Sequence, residues 1–273
     1  MSQKPAATQL IAEGPVLLGL EDGIAHLRLN RPQAANGMSV ELLKALYDAV
    51  MTCHGTPGIR VLLVTGEGKN FCAGGDVQAF AARGKALPDY IRPATAYLQD
   101  SVLSLARLQA PVVVAVQGYA AGGGGFGLVC AADLVVAAES AKFLAGATRV
   151  AMAPDAGVSV TLPRLVGLRK ATEILLTNPV IDAAEAQRLG IVTKVVPDAE
   201  LGRSARALAQ ELAQGAPLAL AATKRLIRSG MSLALEACLS EEARTVSELS
   251  GSADAREGLA AVIERRRPIF TGT

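Results

Sequence analysis

The chain has 273 residues, of which 51% are hydrophobic and 3% aromatic, and its formal net charge is +2. This length is enough for one large domain or two small ones, with a sizeable buried core. A near-neutral charge without a basic block argues against nucleic acid as the main partner, and no apolar run approaches the ~18 residues of a membrane span.

The N-terminal segment, residues 1–14, has neither the basic region nor the apolar region of a signal peptide, and we expect it to be a flexible tail. The four cysteines lie far apart and form no CxxC pair, which argues against a zinc site. Reduced thiols are typical of cytoplasmic proteins, so we expect a cytoplasmic chain without a metal.

The segment after this tail predicts a hairpin, a helix and a buried strand in that order. The pair Asp22-Gly23 is typical of a hairpin turn between two strands. Ser39 is a candidate N-cap for a helix with Leu42 and Leu46 on its apolar face. Residues 60–65 predict a buried strand, and the loop "EGKNFCAGGD" follows it.

Residues 78–109 predict helical structure with a break near Pro88 and Pro93. A second buried strand, "PVVVAVQG", leads directly into "GYAAGGGGFG", then a helix through Cys130 and the strand "DLVVAA". This alternation predicts an α/β fold with partly parallel strands. From Ala183 the pattern is mostly helical, over residues 183–189, 199–214, 217–229, 232–249 and 253–267, with one short strand at "IVTKVVP".

Four consecutive glycines, residues 122–125, stand at a predicted strand-to-helix junction. Unpaired N–H groups at a helix start can bind an anion or an oxyanion. The Walker phosphate loop is excluded because no Lys-Ser/Thr pair follows the glycines. A GxGxxG register through Gly127 lacks the acidic residue expected ~20 positions later. A purely structural alternative is that the glycines let a helix pack closely on the sheet.

A second glycine-containing loop, "NFCAGGD", also follows a buried strand. Two such loops could supply two backbone N–H donors to one developing negative charge. A thioester carbonyl gains that charge when it becomes an enolate. The pair of loops therefore indicates an oxyanion hole rather than a phosphate cradle.

"FCAGGD" and "PVVVAVQGYAAGGGG…AADLVVAAESAKF" together resemble the enoyl-CoA hydratase/isomerase (crotonase) superfamily. The stretches "LNRPQAANGMS", "PRLVGLRKATEILLTNPVIDAAEAQRLGIVTKVVP" and "REGLAAVIERRRPIF" extend the resemblance over residues 15–271. It implies an acyl-CoA thioester substrate, in which coenzyme A is part of the substrate and no separate cofactor is needed; charge and hydropathy already argue against a nucleic-acid or membrane partner. It also implies a crotonase-like ββα spiral core over residues 15–200, a C-terminal helical trimerisation region over residues 201–273, and a homotrimer or dimer of trimers.

The resemblance also places the oxyanion-hole donors. The first falls on Ala73. The second falls on Gly123 when counted from Gly118, or on Gly124 when counted from Asp133, because this chain has one extra residue between those landmarks; Gly124 is slightly favoured. Acyl-CoA contacts are implied at Gln33, Ala34, Ala35, Ala73, Gly75, Asp76, Val77, Tyr119, Gly123 and Pro154.

Both glutamates that hydratases of this family use to handle water are missing. Their places fall on Phe126 or Gly127 and on Ala147. One carboxylate, Asp155, matches the position used by ring-epoxyphenylacetyl-CoA isomerases of phenylacetate breakdown and by 4-chlorobenzoyl-CoA dehalogenases. The dehalogenases have an aromatic-rich pocket, which makes them the poorer match for this chain.

A single carboxylate in apolar surroundings suits proton shuttling, because desolvation raises its pKa. We therefore expect Asp155 to catalyse a double-bond shift through an enolate held in the oxyanion hole. Two alternatives remain: a hydratase-type lyase in which Asp155 activates water, and a non-catalytic acyl-CoA-binding protein. Asp155 could also serve only as a turn or helix cap.

Four other polar residues are expected to be structural. His26 lies in a predicted strand far from both loops, and His54 ends a helix, where a cation suits the dipole. Cys72 has nothing nearby in sequence that would make it a thiolate, so a buried filler is the simpler interpretation. Asp76 more plausibly caps the next helix than takes part in chemistry.

Overall fold

The computed structural model describes residues 8–273, which form ten strands and eleven helices. The strands are β1 (Thr8–Ile11), β2 (Val16–Glu21), β3 (Ile24–Leu29), β4 (Val61–Gly66), β5 (Val112–Val116), β6 (Tyr119–Ala121), β7 (Leu134–Ala138), β8 (Lys142–Leu144), β9 (Ile181–Asp182) and β10 (Lys194–Val196). The helices are α1 (Val40–Gly55), α2 (Val77–Ala81), α3 (Leu87–Arg107), α4 (Leu128–Ala131), α5 (Val158–Val166), α6 (Leu168–Thr177), α7 (Ala183–Arg188), α8 (Leu201–Ala213), α9 (Pro217–Gly230), α10 (Leu235–Ser250) and α11 (Ala253–Glu264).

The main sheet has the order β1-β2-β3-β4-β5-β7-β10, and a second sheet has the order β6-β8-β9. The first three strands are antiparallel, and the pairs from β3 to β10 are parallel. Parallel strands need crossover connections, which the helical segments supply. The predicted α/β fold with partly parallel strands is therefore confirmed.

Both faces of the main sheet are buried, as parallel strands require. On one face, Leu27, Leu62 and Val114 join the core that includes α1. On the other, Val61 and Val113 pack against the helix α8. This helix belongs to the region expected to lie outside the core, so the sheet core extends past the predicted boundary at residue 200.

Local chemistry explains why the early elements form where predicted. Asp22 and Gly23 both have positive φ angles, 51° and 78°, which a tight turn between β2 and β3 requires. Ser39 accepts a hydrogen bond from the N–H of Leu42 and so caps α1 as predicted. The hairpin and the helix are both confirmed.

Two expectations from the sequence are corrected. The expected tail is wrong for Thr8–Ile11, which pairs with β2; residues 1–7 lie outside the described residues. The helical break falls at residues 82–86, and Pro93 lies inside the continuous helix α3. No helix between residues 8 and 273 is long and apolar enough to cross a membrane.

Candidate active site

The two glycine-containing loops meet through their backbones where β4 and β6 end. The N–H of Phe71 donates to Gln117 O at 2.8 Å, and the N–H of Ala121 donates to Cys72 O at 2.9 Å. A Cβ placed on Gly74 would lie 3.0 Å from Ala121 O. The two loops therefore lie in contact, as predicted, and the contact leaves no room for a side chain at Gly74.

The backbone hydrogen bonds favour Gly75 over the predicted Ala73 as the candidate for the first oxyanion donor. The N–H of Ala73 already donates to Ala35 O at 3.0 Å, so it is not available to a substrate. Met38 pairs with the chain on either side of Gly75, since its N–H donates to Gly74 O and its carbonyl accepts from Asp76 N. In this pairing the N–H of Gly75 points away from Met38, and it has no acceptor among residues 8–273.

Both candidate positions for the second donor lie in a single π-helical turn, Gly123–Gly127, which continues into α4. A π-turn holds one more residue than an α-helical turn, so a turn of this kind offers room for the one extra residue counted between Gly118 and Asp133. Gly123 and Gly124 stand at the start of the helix, where N–H groups have no intrahelical acceptor. Both line the same cavity as Gly75, so both predicted positions remain available as donors.

Close approach explains why side chains are excluded from this turn. A Cβ on Gly123 would lie 1.6 Å from Oδ1 of Asp155, and one on Gly124 would lie 2.4 Å from Cγ of Met38. The carboxylate of Asp155 therefore sits directly against the glycine turn. The predicted proton carrier and the predicted oxyanion donors, which come from separate motifs, are therefore neighbours in the fold.

Asp155 lies in a turn before α5. Its carbonyl accepts from the N–H of Val158 at 3.0 Å, and the next residue, Ala156, is fully buried with φ 51°. Burial raises the pKa of the Asp155 carboxyl above its ordinary value, and a backbone hydrogen bond lowers it by less. No neighbouring charge contributes to this shift among the described residues, which suits a group that must gain and release a proton.

A cavity of 730 Å³ joins these groups. Within the described chain, only Asp155 and Arg149 among its lining residues carry charge, and most of the others are apolar. Phe126, at one place expected for a hydratase glutamate, is fully buried, and Ala147, at the other, lines the cavity with a methyl group. The structure thus supplies one carboxylate where a hydratase would use two.

The predicted acyl-CoA contacts divide into two groups. Four of them, Ala73, Gly75, Val77 and Gly123, line the cavity. The remaining positions are not among its lining residues, and their contact with CoA stays a prediction: Gln33, Ala34, Ala35, Asp76, Tyr119 and Pro154.

The polar residues expected to be structural have structural partners. His26 hydrogen-bonds Thr65 at 3.0 Å, and burial lowers its pKa to about 4. His54 lies at the end of α1, where it was expected to interact with the helix dipole, and its ring also hydrogen-bonds the Ser104 carbonyl of α3. Burial raises the pKa of the Cys72 thiol to about 12, which excludes a thiolate at neutral pH.

Asp76 caps α2, as predicted, by accepting from the N–H of Ala79 at 3.0 Å. It also pairs with Arg31 at 3.2 Å, and Arg31 donates to Gly37 O. This pair links the loop before α1 to the loop that carries Gly75. Arg31 carries no signal in the sequence, because no local pattern indicates a partner 45 positions away.

Two buried asparagines were also missed. Asn36 is fully buried, and its amide donates to the carbonyls of Glu67, Asn70 and Phe71 at 2.9–3.0 Å. Asn178 is 3% exposed and has φ 50° at the end of α6. The only signal in the sequence is that asparagine tolerates this left-handed conformation.

Comparisons with known proteins agree with this geometry. A family model described as enoyl-CoA hydratase/isomerase matches residues 19–273. A Rhodobacter capsulatus protein named "Probable enoyl-CoA hydratase" is 39% identical over 93% of this chain and 96% of its own. The 1,2-epoxyphenylacetyl-CoA isomerase of Escherichia coli is 35% identical over 94% of this chain and 98% of its own.

A solved structure is similar over nearly the whole chain. The crystal structure of an enoyl-CoA hydratase from Polaromonas sp. JS666 has a TM-score of 0.90 and 32% sequence identity. The match covers 94% of this chain and all of that one. Fold and sequence therefore agree over the strands, the glycine turn and the C-terminal helices.

Proposed function

This chain belongs to the enoyl-CoA hydratase/isomerase family, which acts on CoA thioesters, and from that premise we propose that it is an isomerase that moves a double bond in an acyl-CoA. One observation carries the proposal: Asp155 is the single carboxylate that lines the cavity in the described chain, and it lies against the glycine turn. The double-bond shift consumes no water, so it needs one proton carrier and no second acid.

The proposed reaction has two proton transfers. Ionised Asp155 removes a proton from the carbon next to the thioester carbonyl, or from the vinylogous γ-carbon. The electrons of that C–H bond move into the acyl group, and the carbonyl oxygen becomes an enolate or dienolate oxyanion. Asp155 then returns the proton at the other end of the conjugated system, which shifts the double bond and restores the carboxylate.

The oxyanion is held by two backbone donors, Gly75 and one of Gly123 and Gly124. Preorganised donors of this kind lower the barrier because they are strongest when negative charge develops, and losing one typically costs ~10²–10³ in rate. The apolar walls of the cavity exclude water and strengthen both hydrogen bonds. They also explain why an enolate would not be protonated at random by solvent.

Two alternatives lead to different products. A hydratase-type lyase would use Asp155 to activate water, but Phe126 and Ala147 leave that water without the two carboxylates that such hydratases use. A non-catalytic acyl-CoA-binding protein would have no need of a desolvated carboxylate. The names of the relatives include both hydratases and an isomerase, so the site residues, rather than those names, support the isomerase.

The test is an enzyme assay with a 3-enoyl-CoA and a conjugated 2-enoyl-CoA. We expect the conjugated-enoyl absorbance to appear from the 3-enoyl substrate and to persist with the 2-enoyl substrate.

Asp155→Asn should lower the isomerisation rate by ~10²–10⁴, the usual worth of a positioned acid–base group. Asp48→Asn, at an exposed ion pair on α1, is the matched control and should leave the rate unchanged. An active Asp155→Asn variant would overturn the mechanism.

We also infer that the chain assembles as a homotrimer or a dimer of trimers in the cytoplasm. Apolar side chains on the C-terminal helices support an interface there. The most exposed of them are Leu235, Val246, Leu259, Val262 and Ile263.

The described cysteines are all free, which supports the proposed location in a reducing compartment such as the cytoplasm.

A further inference from the structure

Asn178 is a buried polar residue that the proposed reaction does not use directly. It follows α6 and precedes Pro179, far from either glycine loop in sequence. Its side chain is nonetheless directed to the segment that carries Asp155. A buried amide that makes several hydrogen bonds to one loop fixes the position of that loop, because each lost bond leaves a desolvated polar group.

The contacts of Asn178 converge on one turn. Its Oδ1 accepts from the N–H of Gly146 at 2.6 Å, and its Nδ2 donates to Oγ1 of Thr148. Its backbone carbonyl accepts from Nη2 of Arg149. A 3₁₀ turn spans Ala147–Val150 and begins after Gly146, so three nearly consecutive residues at this turn are tied to a single residue at the end of α6.

This turn forms part of the cavity wall and leads directly to Asp155. Gly146, Ala147 and Arg149 line the cavity. The N–H of Met152 donates back to Ala147 O at 3.0 Å, so the chain entering the Asp155 turn is bonded to the anchored turn. No other side chain among residues 8–273 makes as many hydrogen bonds to this segment.

We propose that Asn178 is a positioning residue that holds residues 146–155 so that the Asp155 carboxylate lies against the glycine turn. This inference rests on the proposed function, because it assigns to Asn178 the placement of the proposed proton carrier. A carboxylate displaced by ~1 Å can lose ~10²-fold in rate even when the substrate still binds.

The test separates turnover from binding. Asn178→Gly keeps the left-handed backbone, since glycine adopts it freely, but removes the side-chain hydrogen bonds to Gly146 and Thr148, together with a longer one of 3.4 Å to the Leu175 carbonyl of α6. We expect kcat for isomerisation to fall by ~10–10²-fold, as loss of positioning predicts, with KM nearly unchanged. Asn178→Asp should restore most of kcat, because its oxygens accept from Gly146 N–H and from the Thr148 hydroxyl.

Thr177→Ala is the matched control, since Thr177 bonds only the Glu173 carbonyl within α6. Its kcat should equal that of the unmodified protein. Unchanged kcat in Asn178→Gly, or an equal loss in Thr177→Ala, would overturn the inference. If Asn178→Gly does not fold, Thr148→Ala decides: it should lower kcat by a smaller factor, and an unchanged kcat would overturn the inference.

Failure of this inference is distinguishable from failure of the proposed function. If Asp155→Asn abolishes isomerisation while Asn178→Gly leaves it intact, Asp155 remains the proton carrier and only its positioning by Asn178 is rejected. If Asp155→Asn is fully active, the proposed function itself is rejected.

Discussion

Asp155 is a carboxylate that the fold keeps partly away from water, and it has no cationic partner within the described part of the chain. Burial raises its pKa, and no charged neighbour offsets this shift within residues 8–273. Between the ordinary aspartate pKa and the raised one, the folded protein binds more protons than the unfolded chain. The free energy of unfolding therefore falls as the pH rises through that window.

This linkage predicts a gain of stability in the variant that loses activity. Asn resembles the protonated carboxyl, so Asp155→Asn should raise Tm at neutral pH, where the ionised carboxylate is costly. The gain should shrink as the pH falls and vanish below the ordinary aspartate pKa of 3.8. Thermal unfolding followed by circular dichroism from neutral to acidic pH measures it. A lower Tm for the variant at neutral pH would contradict the assigned burial cost.

At the scale of single residues, the sequence could indicate positions by their own chemistry but not positions whose role is decided by distant neighbours. Asp155 was found because it is a carboxylate at a matching motif, and the structure places it beside the glycine turn. Ala73 was wrong because its N–H is used by Ala35, on a loop 38 positions earlier in the chain. Asn178 and Arg31 were missed for the same reason, since their partners are distant in sequence.

At the scale of elements, the glycine turn is shaped by what it contacts. A Cβ on Gly125 would lie 2.2 Å from the Cys72 carbonyl and 3.0 Å from the backbone carbon of Ala120. These are backbone atoms of the neighbouring loop and the second sheet, so they cannot move aside independently. The helix start is therefore held within contact distance of the loop that carries Gly75.

Gly125→Ala should destabilise the protein by roughly 1–3 kcal/mol, the usual cost of overpacking. Gly202→Ala is the control. Gly202 lies in α8, and a Cβ added to it would meet no other atom within 4 Å. The stability of this variant should change by no more than roughly 0.5 kcal/mol, as is usual for an exposed position away from packing contacts, since Gly202 lies in the first turn of α8. Urea unfolding measures both. Equal stability changes in the two variants would contradict the close approach.

Elements with local signals were predicted well, and those decided by packing were not. The hairpin and α1 carry their own turn and cap residues. The expected break at Pro93 is wrong because α3 buries Ala94, Leu98, Val102 and Leu105 in the core. That burial outweighs the local cost of one proline, as tertiary contacts often outweigh propensity.

At the scale of the whole molecule, the C-terminal region is attached to the sheet core by polar anchors. The buried Lys224 of α9 donates to the carbonyls of Leu105 and Ala110, and it pairs with Asp133 at 2.7 Å. Arg60 donates to Phe270 O at 2.7 Å. No single helix pattern could reveal these long-range contacts, which is why the sequence suggested a more separate C-terminal region.

The described chain brings Asp155, the candidate donors Gly75, Gly123 and Gly124, and an apolar cavity into one site, and the lining of that cavity has no second carboxylate within residues 8–273. The most direct test of this account is product mass after reaction of a 3-enoyl-CoA in heavy-oxygen water. The account predicts a conjugated product of unchanged mass without heavy oxygen. A product heavier by one water molecule and carrying heavy oxygen would contradict it and assign the site to hydration.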